Sequence, residues 1–186
     1  RNGEDERHVE NVSKITELLL TSLVKRTNKY HLTWEERRTI TLASSLHDIG
    51  KIGISEDILG KHGRLTPEER RIMQTHTVLG EQILNSLERF RDEELVRIAA
   101  QVCRSHHERY DGGGYPDGLV GEQIPISAQV VSLADTYDAL ISARPYRDGL
   151  THDEAIRRIC SGECGVFNPL LLGCLRDIEG CLREAQ

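Results

Sequence analysis

Helix-start signals recur along this chain and leave little room for anything but a helical fold. Thr33 is followed three residues later by Glu36, the pair in which a hydroxyl and a carboxylate each satisfy the other's backbone N–H. Thr66-Pro67-Glu68-Glu69 repeats the device and adds a proline at the first helical position, where an N–H is not needed. Thr151 with Glu154 is a third start, and Asn168-Pro169 a shorter fourth. Apolar residues recur every three to four positions, as in Val12, Ile15, Leu19 and Leu23, which line one helix face. Further helical stretches are expected near 75–87, 92–107 and 127–143, and the helix opened at Thr33 is expected to run toward Leu46 and stop at Gly50. Period-two alternation is nearly absent, apart from a short pair around Gly118–Ile124. The segment 108–126 holds five glycines and two prolines and reads as a long ordered loop, a feature that usually carries function in a compact domain. The expectation is one all-α domain over 1–186, a helical bundle of about seven helices with a long glycine-rich loop.

The 186 residues suffice for a single domain with a sizeable core. A net charge of −6 argues against a protein that coats nucleic acid, whose footprint would be basic. An anionic substrate stays compatible with that charge if bound cations reverse the field locally. No apolar run approaches the roughly 20 residues of a membrane span, and no signal peptide is visible, so a cytoplasmic location without membrane contact is expected. The chain opens Arg1-Asn2-Gly3 without a methionine and is read as a domain excised from a longer regulatory protein. The cysteines, Cys103, Cys160, Cys164, Cys174 and Cys181, are odd in number, which fits unpaired thiols in a reducing compartment.

Chemistry concentrates in two runs, Ser45-Leu46-His47-Asp48-Ile49-Gly50-Lys51-Ile52-Gly53 and His106-His107-Glu108-Arg109-Tyr110-Asp111-Gly112-Gly113-Gly114-Tyr115-Pro116. Imidazoles and carboxylates together supply the mixed N/O ligands that suit borderline divalent metals. Glu4 and His8, four residues apart, share a helix face. His47 and Asp48 are adjacent and point apart on a helix, so that the two-oxygen carboxylate of Asp48 can reach between two ions while His47 holds one. His76 opens one expected helix, and His106 and His107 close another. Asp135 is an acid inside an apolar helical stretch, and a buried acid needs a partner. Each has an ordinary rival role: a cap, a surface charge or a buried ion pair. Their occurrence together and in order is what points to metal-assisted hydrolysis.

Read in order, these runs resemble HD-GYP domains, a branch of the HD phosphohydrolase superfamily. The resemblance spans nearly the whole chain, from Glu4-x3-His8 to Asn168-Pro169. It rests on His47-Asp48-Ile49-Gly50-Lys51, on Met73-Gln74-Thr75-His76 with Gly80, on His106 through Gly118, on Leu133-Ala134-Asp135-Thr136-Tyr137-Asp138-Ala139, and on Arg144-Pro145-Tyr146-Arg147. It departs from the family pattern at Thr77, Gly113, Val166 and Asn168, none of which is an expected ligand. The resemblance implies hydrolysis of cyclic di-GMP to pGpG, GMP or both, with two or three divalent ions, iron or manganese. Glu4, His8, His47, Asp48, His76, His106, His107 and Asp135 are the implied ligands. Paired ions about 3.5–4 Å apart share a water and lower its pKa, so a metal-bridging hydroxide is expected to attack phosphorus.

Asp48 and Lys51 are the expected catalytic residues. Lys51 would meet a phosphate oxygen or assist the leaving group, and Arg144 would clamp phosphate with its planar fork. Gly114, Tyr115 and Pro116 are expected beside the substrate, in a loop that also offers a docking surface for diguanylate cyclase (GGDEF) proteins. A homodimer is compatible with all of this. Asp111 and Asp138 are each either a group that orients a ligand histidine or an ordinary turn or surface acid. His31, His62 and His152 are expected to be helix-boundary or loop residues. The motifs do not separate cyclic di-GMP from cyclic GMP-AMP. The intact ligand set favours an enzyme over a non-catalytic cyclic di-GMP receptor or adaptor.

Overall fold

The computed structural model describes residues 2–143 and 148–184, with side chains from Glu6 onward. Its helices are α1 (Asn2–Arg26), α2 (Trp34–Ser44), α3 (Glu56–Leu59), α4 (Pro67–Gln74), α5 (His76–Asn85), α6 (Glu94–Ser105), α7 (Ile126–Ile141), α8 (His152–Cys160), α9 (Pro169–Asp177) and α10 (Glu179–Glu184). Among the described residues there is no strand, and the all-α expectation stands. The described segments outnumber the expected seven because α3 and α10 are one or two turns long and the helix is interrupted at Thr75 between α4 and α5. The pair expected around Gly118–Ile124 reduces to a single bridge between Asp111 and Val120.

The caps form as local chemistry dictates. Thr33 and Glu36 bond each other's backbone N–H, as do Thr66 and Glu69. Thr151 Oγ1 accepts from Glu154 N, and Asn168 Oδ1 accepts from Leu170 N. One boundary differs. α2 ends at Ser44, six residues before Gly50, which lies inside a 3-10 turn over Ile49–Gly53. Gly50 is therefore not a helix stop. A Cβ there would stand 1.9 Å from the His76 carbonyl oxygen and 2.4 Å from Gly80 N, so only glycine lets this turn press against α5.

Val12, Ile15, Leu19 and Leu23 of α1 are buried as expected, against Val130, Val131, Leu133 and Ala134 of α7 and Leu171 and Leu175 of α9. A smaller cluster, Ala43, Leu84, Ala99, Ala100 and Cys103, joins α2, α5 and α6. α7 is buried on nearly every face, so a polar residue on it needs a partner inside the protein. The five cysteines are free. No described helix is long and apolar enough to cross a membrane.

Candidate metal centre

Five of the expected ligands are histidines, and four of them are held the same way. His47 Nδ1 donates to Ser44 O at 2.7 Å, and His76 Nδ1 to Met73 O at 2.7 Å. His106 Nδ1 faces Val102 O and Cys103 O, both at 3.0 Å, and His8 Nδ1 bonds Asp138 Oδ2 at 2.6 Å. Carbonyls and carboxylates only accept, so each Nδ1 carries a proton, and Nε2 is the nitrogen that each ring turns toward the centre. Three of these anchors are carbonyls of the preceding helical turn. The fourth answers one open question from the sequence: Asp138 is fully buried, accepts from His8 and Asn11, and orients the His8 ring. Asp111 accepts from Gly113 N two residues on and is a turn acid.

The free nitrogens converge on carboxylates. Asp48 Oδ1 lies 3.3 Å from His76 Nε2 and 3.8 Å from His106 Nε2, while its Oδ2 lies 3.4 Å from His47 Nε2. Asp135 Oδ1 stands 3.4 Å from His8 Nε2 and 3.9 Å from His47 Nε2. Two groups result, Asp48 with His76, His106 and His107, and His8 with His47 and Asp135. Within each, the donor atoms all lie within 4.8 Å of one another. His47 Nε2 and Asp48 Oδ1 are buried without a hydrogen-bond partner. Such orphaned groups each cost about 1–3 kcal/mol, and ligation of a cation would relieve both at once. The N/O donor set and these orphaned atoms fit a divalent metal.

The charges are coupled. Burial and the charge of His47 push the His106 imidazole down to about 4. Burial likewise lowers His76, and lowers His107 further. For His47 burial also opposes the charge, but the carboxylates of Asp48 and Asp135 outweigh it and hold the ring up at about 9. The reciprocal effect keeps Asp48 ionised, its carboxyl held well below the usual range by His47 and Lys51 against the opposing effect of burial.

Lys51, half-exposed, places Nζ 2.5 Å from Asp48 Oδ2. The glycine loop forms one wall of the centre. Tyr115 stacks on His107 with ring centroids 4.8 Å apart and 26° between planes, and burial raises its hydroxyl pKa, keeping it protonated. A Cβ on Gly114 would lie 2.4 Å from Arg109 N and from Glu108 Cα, so glycine is required where Gly114 approaches that backbone. The peptide between Tyr115 and Pro116 is cis. Glu108 was missed in the sequence. It is buried, and its carboxylate accepts from Asp117 N at 2.7 Å and Leu119 N at 3.0 Å, tying the loop down. Its signal was available: an acid leading into a loop whose backbone N–H groups have no helix to satisfy them.

Among the expected ligands, His8, His47, Asp48, His76, His106, His107 and Asp135 come together. The Glu4 side chain and Arg144 lie outside the described residues. His31 and His62 are exposed. His152 opens α8 as a boundary residue, yet it is buried, with Nδ1 2.8 Å from the Tyr137 hydroxyl.

Comparison with known proteins assigns the chain to a family. The HD domain family matches residues 5–164. The cyclic di-GMP phosphodiesterase response regulator RpfG of Xanthomonas campestris pv. campestris is 43% identical over 138 residues, 74% of this chain and 35% of that protein. The 3'3'-cGAMP-specific phosphodiesterase 2 of Vibrio cholerae serotype O1 is 39% identical over 178 residues, 95% of this chain and 32% of that protein. The chain thus spans about a third of the length of these curated relatives. An HDG"Y"P protein from Bdellovibrio bacteriovorus superimposes with a TM-score of 0.67 at 22% identity, over 92% of this chain and 51% of that one.

Proposed function

Because the chain belongs to the HD-domain family, in its HD-GYP branch, we propose that it is a metal-dependent phosphodiesterase that hydrolyses cyclic di-GMP to pGpG, GMP or both. The observation that carries this reading is the position of Asp48, with Oδ1 turned to His76 and His106 and Oδ2 to His47. In this proposal Asp48, His76, His106 and His107 would hold one ion and His8, His47 and Asp135 another, and Asp48, whose Oδ2 faces His47, would serve both. Glu4, on the same helix as His8, is proposed to add a third. Iron or manganese bound there would supply a nucleophile at neutral pH and positive charge against the phosphoryl oxygens.

The chain's own residues do the rest. The Nδ1 anchors fix each ring so that ligand geometry needs no rearrangement. Lys51, beside Asp48, is placed to donate to a phosphate oxygen or to the leaving ribose oxygen. Arg144 is proposed to clamp the second phosphate, and the protonated Tyr115 hydroxyl, with Gly114 and Pro116, to border the base or ribose. GGDEF proteins at this loop and a homodimer belong to the same proposal.

A second reading, hydrolysis of cyclic GMP-AMP, is favoured by the Vibrio cholerae relative, which aligns over 95% of this chain. Protein purified without oxygen, analysed for metal and assayed on both dinucleotides, tests both. Faster turnover of cyclic di-GMP supports the first reading, and faster turnover of cyclic GMP-AMP supports the second. No hydrolysis of either by metal-loaded protein contradicts both.

A further inference from the structure

A groove between α1 and α2 encloses about 380 Å³ and shares no residue with the metal centre. That is within the size range of small-ligand sites, about 300–1,000 Å³. Leu20 lines it and is buried, while Trp34 and Leu42 at its edge are 62% and 53% exposed. Trp34 is the only tryptophan of the chain. An indole left this open forgoes burial that would otherwise stabilise the fold. The guanidinium of Arg38 stands 5.5 Å over its ring.

The charges around the groove are unspent. Arg37 and Arg38 form no ion pair among the described residues, and neither does Glu17, which lines the same groove. Arg37 spends only its Nε, 3.4 Å from Thr33 O.

We propose that this groove binds a guanine nucleotide. The base would stack on the face of Trp34 opposite Arg38, since an aromatic face takes any planar base. Arg37 and Arg38 would take the phosphate with their planar forks. Glu17 supplies the selectivity: a carboxylate offers two acceptors, and guanine presents two adjacent donors, N1–H and N2–H, where adenine presents an acceptor at N1. Glu17 also disfavours the rival occupant, an acidic peptide, which it would repel. The site stands apart from the proposed hydrolytic activity and shares none of its residues.

Trp34 makes the test direct, because the whole tryptophan fluorescence of the protein comes from the groove. Titration of the metal-loaded protein with GMP is expected to quench it saturably. The double variant Arg37→Gln, Arg38→Gln should weaken the quench constant by at least about tenfold, the loss expected for charge-assisted contacts. Glu17→Gln should erase most of the preference for GMP over AMP. Asp48→Ala, in the metal centre, should leave the constant unchanged. Absence of saturable quenching up to millimolar GMP would overturn the proposal, as would quenching that survives the double arginine variant but is lost with Asp48→Ala. Equal quenching by AMP, indifferent to Glu17→Gln, would overturn the guanine assignment. Quenching by a polyglutamate peptide but not by GMP would assign the groove to a protein partner instead.

Discussion

The two groups of candidate ligands are held differently. Asp48, His76, His106 and His107 lie within 60 residues of chain, on elements locked by the contact of Gly50 with α5 and by the small cluster under α2, α5 and α6. His76 and His106 are almost wholly buried, and the three rings resist protonation. His8, His47 and Asp135 instead bring together α1, the exit of α2 and α7, with His8 and Asp135 partly open to solvent. Here His47 favours the charged form, because two carboxylates share it. The tight half is thus ready for a cation. The open half already holds a proton where a cation would go, and an incoming ion must displace it. Rigid, neutral donors should give the tighter site, and a proton-holding one the weaker and more pH-sensitive site.

The largest effect that can separate the halves is loss of a ring. His106→Ala should lower hydrolysis by more than about a hundredfold and empty the tight half, because nothing nearby replaces a fully buried donor. His8→Ala should remove the ion of the open half alone. Metal content measured on both variants checks the ranking, and equal losses from the two halves would break it.

A smaller effect should follow from Asp138→Asn, which leaves the His8 ring in place but weakens its 2.6 Å anchor. Metal affinity of the open half should fall about tenfold to a hundredfold with the tight half unchanged, as read by metal titration. An effect on both halves would mean that α7 acts on the fold and not on one ring.

The smallest effect is on stability of the chelated protein against pH. His106 titrates near 6.5 when unfolded and about 4 when folded, so the unfolded chain takes up protons first as pH falls. Stability should therefore fall as pH drops from 6.5 toward 4.5. His47 acts oppositely. Its folded pKa of about 9 contributes stability that is full below 6.5 and lost as pH rises toward 9. The melting temperature should peak near pH 6.5 and drop by several degrees on either side. Metal should abolish the alkaline limb by displacing the proton of His47. A melting temperature that rises on acidification from pH 6.5 to 4.5 would contradict the neutral rings of the tight half.

What could be read from sequence divides along physical lines. The caps at Thr33 and Thr66 were legible because a hydroxyl and a carboxylate three residues apart need no other part of the protein. The α1 core face was legible because periodicity reports which side is buried. Gly50 was misread as a helix stop because its reason is a long-range approach to His76 and Gly80, which leaves no local trace. The burial of His152 was missed for the same reason, since Tyr137 meets it only in the folded chain, whereas Glu108 is legible from the unsatisfied N–H groups of the loop that follows it. The candidate ligands were legible as types in order, but not their division into two halves, since that depends on where α1 and α7 cross.

That division rests on Asp48, whose two oxygens face one half each. Metal content and cyclic di-GMP turnover of Asp48→Ala test it most directly. The account predicts that both halves lose affinity together and that hydrolysis stops. Near-normal turnover with full metal content, or loss from one half alone, would contradict it.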